Sequence, residues 1–231
     1  MAGNDQLFHK RKARRENDHK REMAKRAPYD MVLIVCEGAK TEPNYFKVLI
    51  KHLKLNTANV IIDDTAGSSP GSVVKRALEE FQKTKDYNKV FCVFDRDTHG
   101  DYKAAVDTIR RAQLGKGHSI RAITSVPCFE FWLLLHFKRT EKDYYDRLGS
   151  ICDKVIIDLE EFIPDYAKGN TQIFLSLKDK LETAIKHAKQ VCASRETAGI
   201  DEDLGTYNPY TNVHELVSYL QELSPQKANS G

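Results

Sequence analysis

The sequence lacks long apolar runs. A membrane-spanning helix needs about 20 consecutive apolar residues, and the 231-residue chain contains no such run, although 41% of its residues are hydrophobic. The N-terminus also lacks the apolar segment of a secretory signal. These absences predict a soluble, cytoplasmic protein that does not enter a membrane.

Cysteines are few and are not spaced as a framework. The chain has five, an odd number, scattered and without a C-x-x-C pair. Disulfide-stapled domains and structural zinc sites use paired, closely spaced cysteines. The sequence therefore predicts neither kind of site and favours buried, reduced thiols at Cys36, Cys92, Cys128, Cys152 and Cys192.

The sequence has no G-x-x-x-x-G-K-[ST] motif, which nucleotide-hydrolysing loops use to hold phosphates. The glycine- and serine-rich stretch TAGSSPGS at residues 65–72 has neither the lysine nor the spacing of that motif. We interpret it as a flexible loop at the rim of the fold. Any ATP-driven step would depend on a partner.

Positive charge is concentrated at the N-terminus. Residues 1–26 contain nine Lys or Arg against four Asp or Glu, a charge of +5, so the rest of the chain carries +3 minus 5, about −2. Such a segment either binds a phosphate backbone or is a solvated tail. We assign 1–28 to a basic tail, 29–138 to an α/β domain, and 139–231 to a helical extension or small second domain.

After residue 28, strand-like apolar runs alternate four times with amphipathic helical patterns. This alternation predicts an α/β fold of the Rossmann-like kind, with a mostly parallel four-stranded sheet flanked by helices, followed by a C-terminal helical extension. The predicted strands are 31–36, 59–64, 89–95 and 119–125, and the predicted helices are 41–55, 73–84, 101–113, 128–137, 175–195 and 212–223.

Acidic residues follow the first and third predicted strands at the point where each strand ends. MVLIVC leads into Glu37, and VFCVF leads into Asp95 and Asp97. Because the carboxyl ends of parallel strands meet at one edge of a sheet, we expect these three side chains to converge. Clustered carboxylates repel one another unless a cation neutralises them. The arrangement predicts a site for Mg²⁺, with Mn²⁺ as an alternative.

Four stretches together resemble the RloB family, which are TOPRIM-like bacterial proteins linked to restriction and phage-defence loci. They are VLIVCEGAKTEPNYFKVL, VFCVFDRDTH, SVPCFEFWLLLHF and NPYTNVHELV, spread over residues 30–222. The resemblance implies a TOPRIM site similar to that of OLD-type nucleases, with Glu37 as its glutamate and Asp95 and Asp97 as its aspartate pair. It also implies a role in anti-phage defence and an ATPase partner encoded nearby.

The expected reaction is metal-assisted hydrolysis of a phosphodiester by water. Asp95 and Asp97 are the expected principal ligands, and Glu37 is either a ligand or a general base. Nucleic acid is the expected substrate, with DNA favoured over RNA. Two alternatives stay open: a haloacid-dehalogenase-like phosphatase with Asp95 as covalent nucleophile, and a non-catalytic module that binds nucleic acid or a partner.

One acidic residue interrupts the apolar stretch PCFEFWLLLHF. Glu130 is either a direct metal ligand or part of a core helix whose apolar stripe is packing. His136, in the same stretch, is more often a hydrogen-bonded core residue than a ligand.

Several further residues are candidates for substrate binding. Gly38, Lys40 and Thr41 lie where a helix N-terminus offers free amides to a phosphate, although Thr41 as an N-cap explains the same pattern. Lys168 is a further candidate because the stretch DYAKGN, in which it lies, resembles the RloB family. His99, two residues past Asp97, is a candidate base. The other positions that we expect near the cleft are Asn170, Asn208, Thr211 and His214.

Overall fold

The computed structural model describes residues 30–96, 100–145, 150–197 and 208–225. Within these ranges a five-stranded sheet is covered by helices on both faces. Its strands are β1 (Val32–Cys36), β2 (Val60–Asp63), β3 (Lys89–Asp95), β4 (Ser119–Val126) and β5 (Tyr210–Thr211). The helices are α1 (Thr41–His52), α2 (Pro70–Thr84), α3 (Tyr102–Arg111), α4 (Glu130–Leu134), α5 (Ile151–Glu160), α6 (Ile173–Leu177), α7 (Leu181–Thr197) and α8 (Val213–Glu222), with a 3-10 turn at Lys178–Lys180.

The sheet has the order β2-β1-β3-β4-β5. The first four strands are parallel, which confirms the predicted α/β class and the mostly parallel sheet. The predicted number of four strands is wrong, because β5 pairs antiparallel with the end of β4, where Ser125 lies opposite Thr211. A strand of two residues is too short to show any hydrophobic period in the sequence.

The strand β1 shows why the central strands are apolar at every position. Val32, Ile34 and Cys36 face the cluster that contains α1, whereas Leu33 and Val35 face the cluster that contains α2 and α3. All five residues are buried. A parallel strand covered on both faces requires a continuous apolar run, and the first polar residue then marks the edge of the core.

The strand order creates a crevice at the carboxyl edge of the sheet. From β1 the chain passes through α1 to β2 on one side, and β3 lies on the other side of β1. Open α/β sheets bind ligands at such a reversal of strand order, outside the carboxyl ends of the two strands. A functional site is therefore expected at the residues that follow β1 and β3.

The helices after β4 pack on the same face as α1. Trp132, Val155, Phe174 and Val217, from α4, α5, α6 and α8, are buried in one cluster with Phe46 of α1. The described residues from Met31 onward belong to one compact unit. None of the helices in the described ranges combines the length and the apolar character needed to cross a membrane.

Several helix boundaries differ from the prediction; the predicted helix 175–195, for example, is divided into α6, the 3-10 turn and α7. Helix α2 begins three residues early, at Pro70, because Ser69 caps it through a reciprocal pair of hydrogen bonds with Ser72 and because proline suits the first turn. The stretch 65–72 is therefore partly a helix start. Helix α4 is shorter than expected, since only Glu130–Leu134 is helical.

The prediction of five reduced thiols is wrong for two of them. Cys128, just before α4, and Cys152, in the first turn of α5, form a disulfide with Cα atoms 5.8 Å apart. Cys36, Cys92 and Cys192 are not joined in disulfides. The packing of α5 against α4 brings the two cysteines together across 24 residues, a separation that carries no local sequence signal.

Candidate functional site

Glu37 and Asp95 lie side by side at the carboxyl edge of the sheet. The backbone amide of Asp95 donates to Oε2 of Glu37 over 3.0 Å, and the amide of Glu37 donates to the carbonyl of Val93 over 2.8 Å. These bonds extend the pairing of β1 with β3 by one residue. The two acids that follow separate strands in the sequence are thus neighbours in the fold.

Asp97 and His99 lie outside the described residues. Their assignment as a metal ligand and as a candidate base therefore stays a prediction. The chain on the far side of this gap is held in place, because the carboxylate of Asp101 accepts a hydrogen bond of 3.0 Å from the amide of Gly71 at the start of α2.

Glu130 lies at the start of α4 and is buried, with 2% of its surface exposed. Its Oε1 accepts a hydrogen bond from the Tyr166 hydroxyl over 3.1 Å and lies 3.8 Å from Nζ of Lys168. Its Oε2 lies 3.2 Å from Sγ of Cys152. Helix α4 is a core helix, yet its one acid faces polar groups rather than the apolar cluster.

Glu42 belongs to the same group of acids, and the sequence reasoning did not assign it. It is the second residue of α1 and is buried, as are its neighbours Thr41 and Pro43. An acid in the first turn of a helix is ordinarily explained by the helix dipole alone. The signal that was available is its position five residues after Glu37, on the helix that starts directly beyond β1.

The acids repel one another. Partial burial, together with repulsion from Glu42, Glu130 and Glu37, raises the pKa of Asp95 well above its ordinary value, although the amide of Phe129, which donates to Oδ2 over 3.1 Å, opposes the shift. Burial, followed by repulsion from Glu130 and Glu37, raises the pKa of Glu42 to about 8. Without a cation, Glu42 therefore retains its proton at neutral pH.

The two acids at the end of β2 each pair with a basic side chain. Asp63 is held by Arg76 over 2.7 Å and also accepts bonds from Thr65, and Asp64 pairs with Lys47 over 2.6 Å. Although burial opposes it, these bonds lower the pKa of Asp63. A carboxylate at this edge of the sheet is thus stable as an anion when a cation neutralises it.

A loop after α5 brings Lys168 to the acids. The carbonyl of Gly169 accepts a bond of 2.9 Å from the side chain of Asn44, and its amide donates to the hydroxyl of Thr41 over 3.1 Å. The interpretation of Thr41 as an N-cap is wrong, because Lys40 precedes the helix and Thr41 is its first residue. The Thr41 hydroxyl instead anchors the loop that carries Lys168.

Replacing Gly169 with alanine is expected to strain this loop. Gly169 has φ +83°, and an added Cβ would lie 3.1 Å from Cβ of Lys40. The left-handed backbone costs about 1 to 2 kcal/mol for alanine, and the contact with Lys40 adds about 1 kcal/mol. Gly115, with φ +97° and nothing within 4 Å of an added Cβ, is the matched control. Denaturant unfolding should show the larger loss for Gly169→Ala; equal losses would contradict the proposed contact.

Gly38 forms the turn directly after Glu37. Its φ is +68°, which favours glycine, and its amide donates to the carbonyl of Gly67 over 2.9 Å. This amide is therefore already hydrogen-bonded within the protein. Lys40 has an exposed side chain whose stem packs on Gly169.

The remaining predicted residues have structural contacts. His136 is buried, its Nδ1 lies 3.1 Å from the carbonyl of Trp132, and burial lowers its pKa to about 4; it is the core histidine that the sequence favoured. The Asn208 side chain bonds the backbone of Tyr144, Asn170 accepts from an amide in its own turn, and Thr211 and His214 are buried at β5 and the start of α8.

A family model for RloB-like proteins matches residues 32–220, from the first residue of β1 into α8. The chain belongs to this family. No curated protein and no solved structure gives a significant match.

Proposed function

We propose that this RloB-like protein is a Mg²⁺-dependent phosphodiester hydrolase that cleaves nucleic acid. The observation that carries the proposal is the hydrogen bond between the amide of Asp95 and Glu37, which joins the acids of two strands at the reversal of strand order. Glu42 and Glu130 approach the same point closely enough to raise the pKa of Asp95. Four acids whose mutual repulsion raises the pKa of Asp95 and of Glu42 favour a ligand site over a packing role.

The donor atoms are of the type that a hard divalent cation binds. Carboxylate oxygens are the ligands that Mg²⁺ prefers, and Mn²⁺ accepts the same set. Asp95, Glu42 and Glu130 would hold the ion, with Asp97 as a further predicted ligand and Glu37 as ligand or general base. When bound, the ion would polarise the scissile phosphate and lower the pKa of a water molecule.

The residues of the chain itself supply the other parts of the reaction. Glu37 is fixed by the amide of Asp95 and is the candidate to take the proton of the attacking water. Lys168, whose side chain is 53% exposed beside Glu130, is the candidate to bind a phosphate oxygen. Lys40 and Thr41 lie at the start of α1 and would add positive charge and the helix dipole.

We further propose DNA as the preferred substrate, a role in anti-phage defence, and an ATPase partner encoded nearby. The membership in the RloB-like family supports these proposals, as does the +5 charge of residues 1–26, which would attract a phosphate backbone.

The direct test is a nuclease assay with the purified full chain, DNA and RNA substrates, and Mg²⁺ or Mn²⁺. We expect cleavage that EDTA abolishes and that Glu37→Gln lowers by about a hundredfold, because removing even an indirect partner of a metal site costs 10- to 100-fold. Glu79→Gln is the control, since Glu79 is half exposed on α2, where it pairs with Lys75 at 4.0 Å. It should cleave like the wild type.

Other results would favour the alternatives. A phosphoaspartate trapped at Asp95, with Glu37→Gln fully active, would indicate the phosphatase. Binding of nucleic acid that is lost on deletion of residues 1–26, without cleavage by the wild type in either metal, would indicate the non-catalytic module.

A further inference from the structure

The disulfide between Cys128 and Cys152 lies against the acid cluster. Cys128 is 3% exposed and Cys152 is 5% exposed, and they join the start of α4 to the start of α5. Their Cα separation of 5.8 Å is ordinary for a disulfide. The bridge is two residues away in sequence from Glu130 and in contact with it in space.

Two charged side chains contact the sulfur of Cys152. Oε2 of Glu130 lies 3.2 Å from Sγ, and Nζ of Lys168 lies 3.4 Å from it. A thiol at Cys152 can donate a hydrogen bond to Glu130, whereas a disulfide sulfur carries no hydrogen and cannot. The oxidation state of the sulfur therefore changes the hydrogen bonds available to an acid of the cluster.

The same three residues also form a possible metal-ligand set, because one ligand atom from each of Cys128, Glu130 and Cys152 lies within 4.8 Å of the others. The disulfide argues against this use, because a sulfur bonded to another sulfur is not a thiolate ligand. The ammonium of Lys168, 3.4 Å from Sγ of Cys152, would instead stabilise the sulfur anion that forms when the disulfide opens.

We propose that Cys128 and Cys152 are a reversible thiol–disulfide pair that exchanges with small dithiols and disulfides and whose oxidation state alters Glu130. In reduction, a thiolate of the dithiol attacks Sγ of Cys128, and Cys152 leaves as a thiolate beside Lys168. The second thiol of the dithiol then attacks the mixed disulfide and releases Cys128, so two protein thiols and one oxidised dithiol result. A small disulfide such as oxidised glutathione reverses the reaction and takes up the two electrons.

The first test equilibrates the native full-length protein in each redox buffer, then unfolds it in urea so that buried thiols react, and counts the alkylated thiols by intact mass. In oxidised glutathione we expect three alkylated cysteines, Cys36, Cys92 and Cys192, and in excess dithiothreitol we expect five, with return to three on reoxidation. Cys192→Ser should keep the difference of two, and Cys152→Ser should lose it. A wild-type count that stays at three or at five in both buffers would overturn the proposal, as would a zinc ion retained by the reduced protein at one equivalent.

The second test concerns Lys168. Because its ammonium stabilises the leaving thiolate, Lys168→Met should slow reduction of the bridge by dithiothreitol by about tenfold. Lys186→Met, at an exposed position of α7, is the matched control and should not change the rate. Equal rates in the two variants would show that Lys168 does not assist the exchange.

The third test measures the effect on Glu130 and rests on the proposed function. In the disulfide state no thiol proton competes for Oε2, so we expect Mn²⁺ to bind at least about threefold more tightly than in the dithiol state. Equal affinities would overturn the link to Glu130. An absence of Mn²⁺ binding in both states would instead overturn the proposed function, while the thiol counts would still decide whether the pair is reversible.

Discussion

The Asp95→Asn protein is expected to fold normally and to lose at least about a hundredfold in metal-dependent cleavage. The reason is that removal of a residue that only supports a metal ligand already lowers affinity or activity 10- to 100-fold. The amide oxygen of asparagine can still accept the bond that the Phe129 amide donates to Oδ2 over 3.1 Å. The substitution removes a carboxyl whose pKa is raised by burial and by Glu42, Glu130 and Glu37. Thermal unfolding in EDTA near neutral pH should therefore show an unchanged or higher melting temperature.

Asp63→Asn is the matched control for this experiment. Asp63 is also the last residue of a parallel strand at the same edge of the sheet, but it pairs with Arg76 over 2.7 Å. This variant should keep its activity and lose a little stability, the opposite of Asp95→Asn. If Asp95→Asn kept more than a tenth of the activity, or lost it together with its fold, Asp95 would have a structural role and the hydrolase proposal would be wrong.

The sequence predicts the part of the fold that regular patterns determine. The strands β1 and β3 are continuous apolar runs that end at Glu37 and Asp95, and the run ends because the core ends there. Parallel pairing then brings both ends to one edge. The convergence of Glu37 and Asp95 is thus readable from strand pattern and direction alone.

Other parts of the site depend on packing between distant segments. Lys168 reaches Glu130 because Gly169 binds Thr41 and Asn44, more than 120 residues earlier in the chain. The disulfide partner of Cys128 is set by how α5 lies on α4. No periodicity or local spacing in the sequence indicates these contacts. The sequence therefore predicts a role for Lys168 only through the resemblance to the RloB family, and it predicts no disulfide.

Two missed features had weak local signals. Helix α5 has Cys152, Val155 and Leu159 on one buried face, a helical spacing that could have been predicted. Glu42 looked like a helix-start residue, and its burial follows from the packing of α1 against the sheet rather than from its neighbours in sequence.

Metal binding is expected to become stronger as the pH rises, because the cluster must lose protons to bind a cation. The pKa of Glu42 is raised to about 8 by burial and by Glu130 and Glu37, and the pKa of Asp95 is also raised. Affinity for Mn²⁺ should therefore increase by about tenfold or more from about pH 6.5 to about pH 8.5. Calorimetry in two buffers of different ionisation enthalpy should detect protons released on binding. Glu42→Gln should release fewer, and Glu79→Gln should release as many as the wild type.

Without metal, the same pKa shift predicts how stability depends on pH. In the unfolded chain Glu42 ionises near its ordinary pKa of 4.5, whereas in the folded protein it ionises near 8. Between these values the folded state holds the extra proton, so the free energy of unfolding decreases as pH rises from about 4.5 and levels off above about 8. Glu42→Gln avoids this loss and should be more stable than the wild type by on the order of 2 kcal/mol at about pH 8, with little difference near pH 4.5. Saturating Mn²⁺ should remove the difference by stabilising the wild type. If the metal-free proteins had the same pH profile, Glu42 would already be ionised in the fold, and the repulsion that favours a cation would be absent.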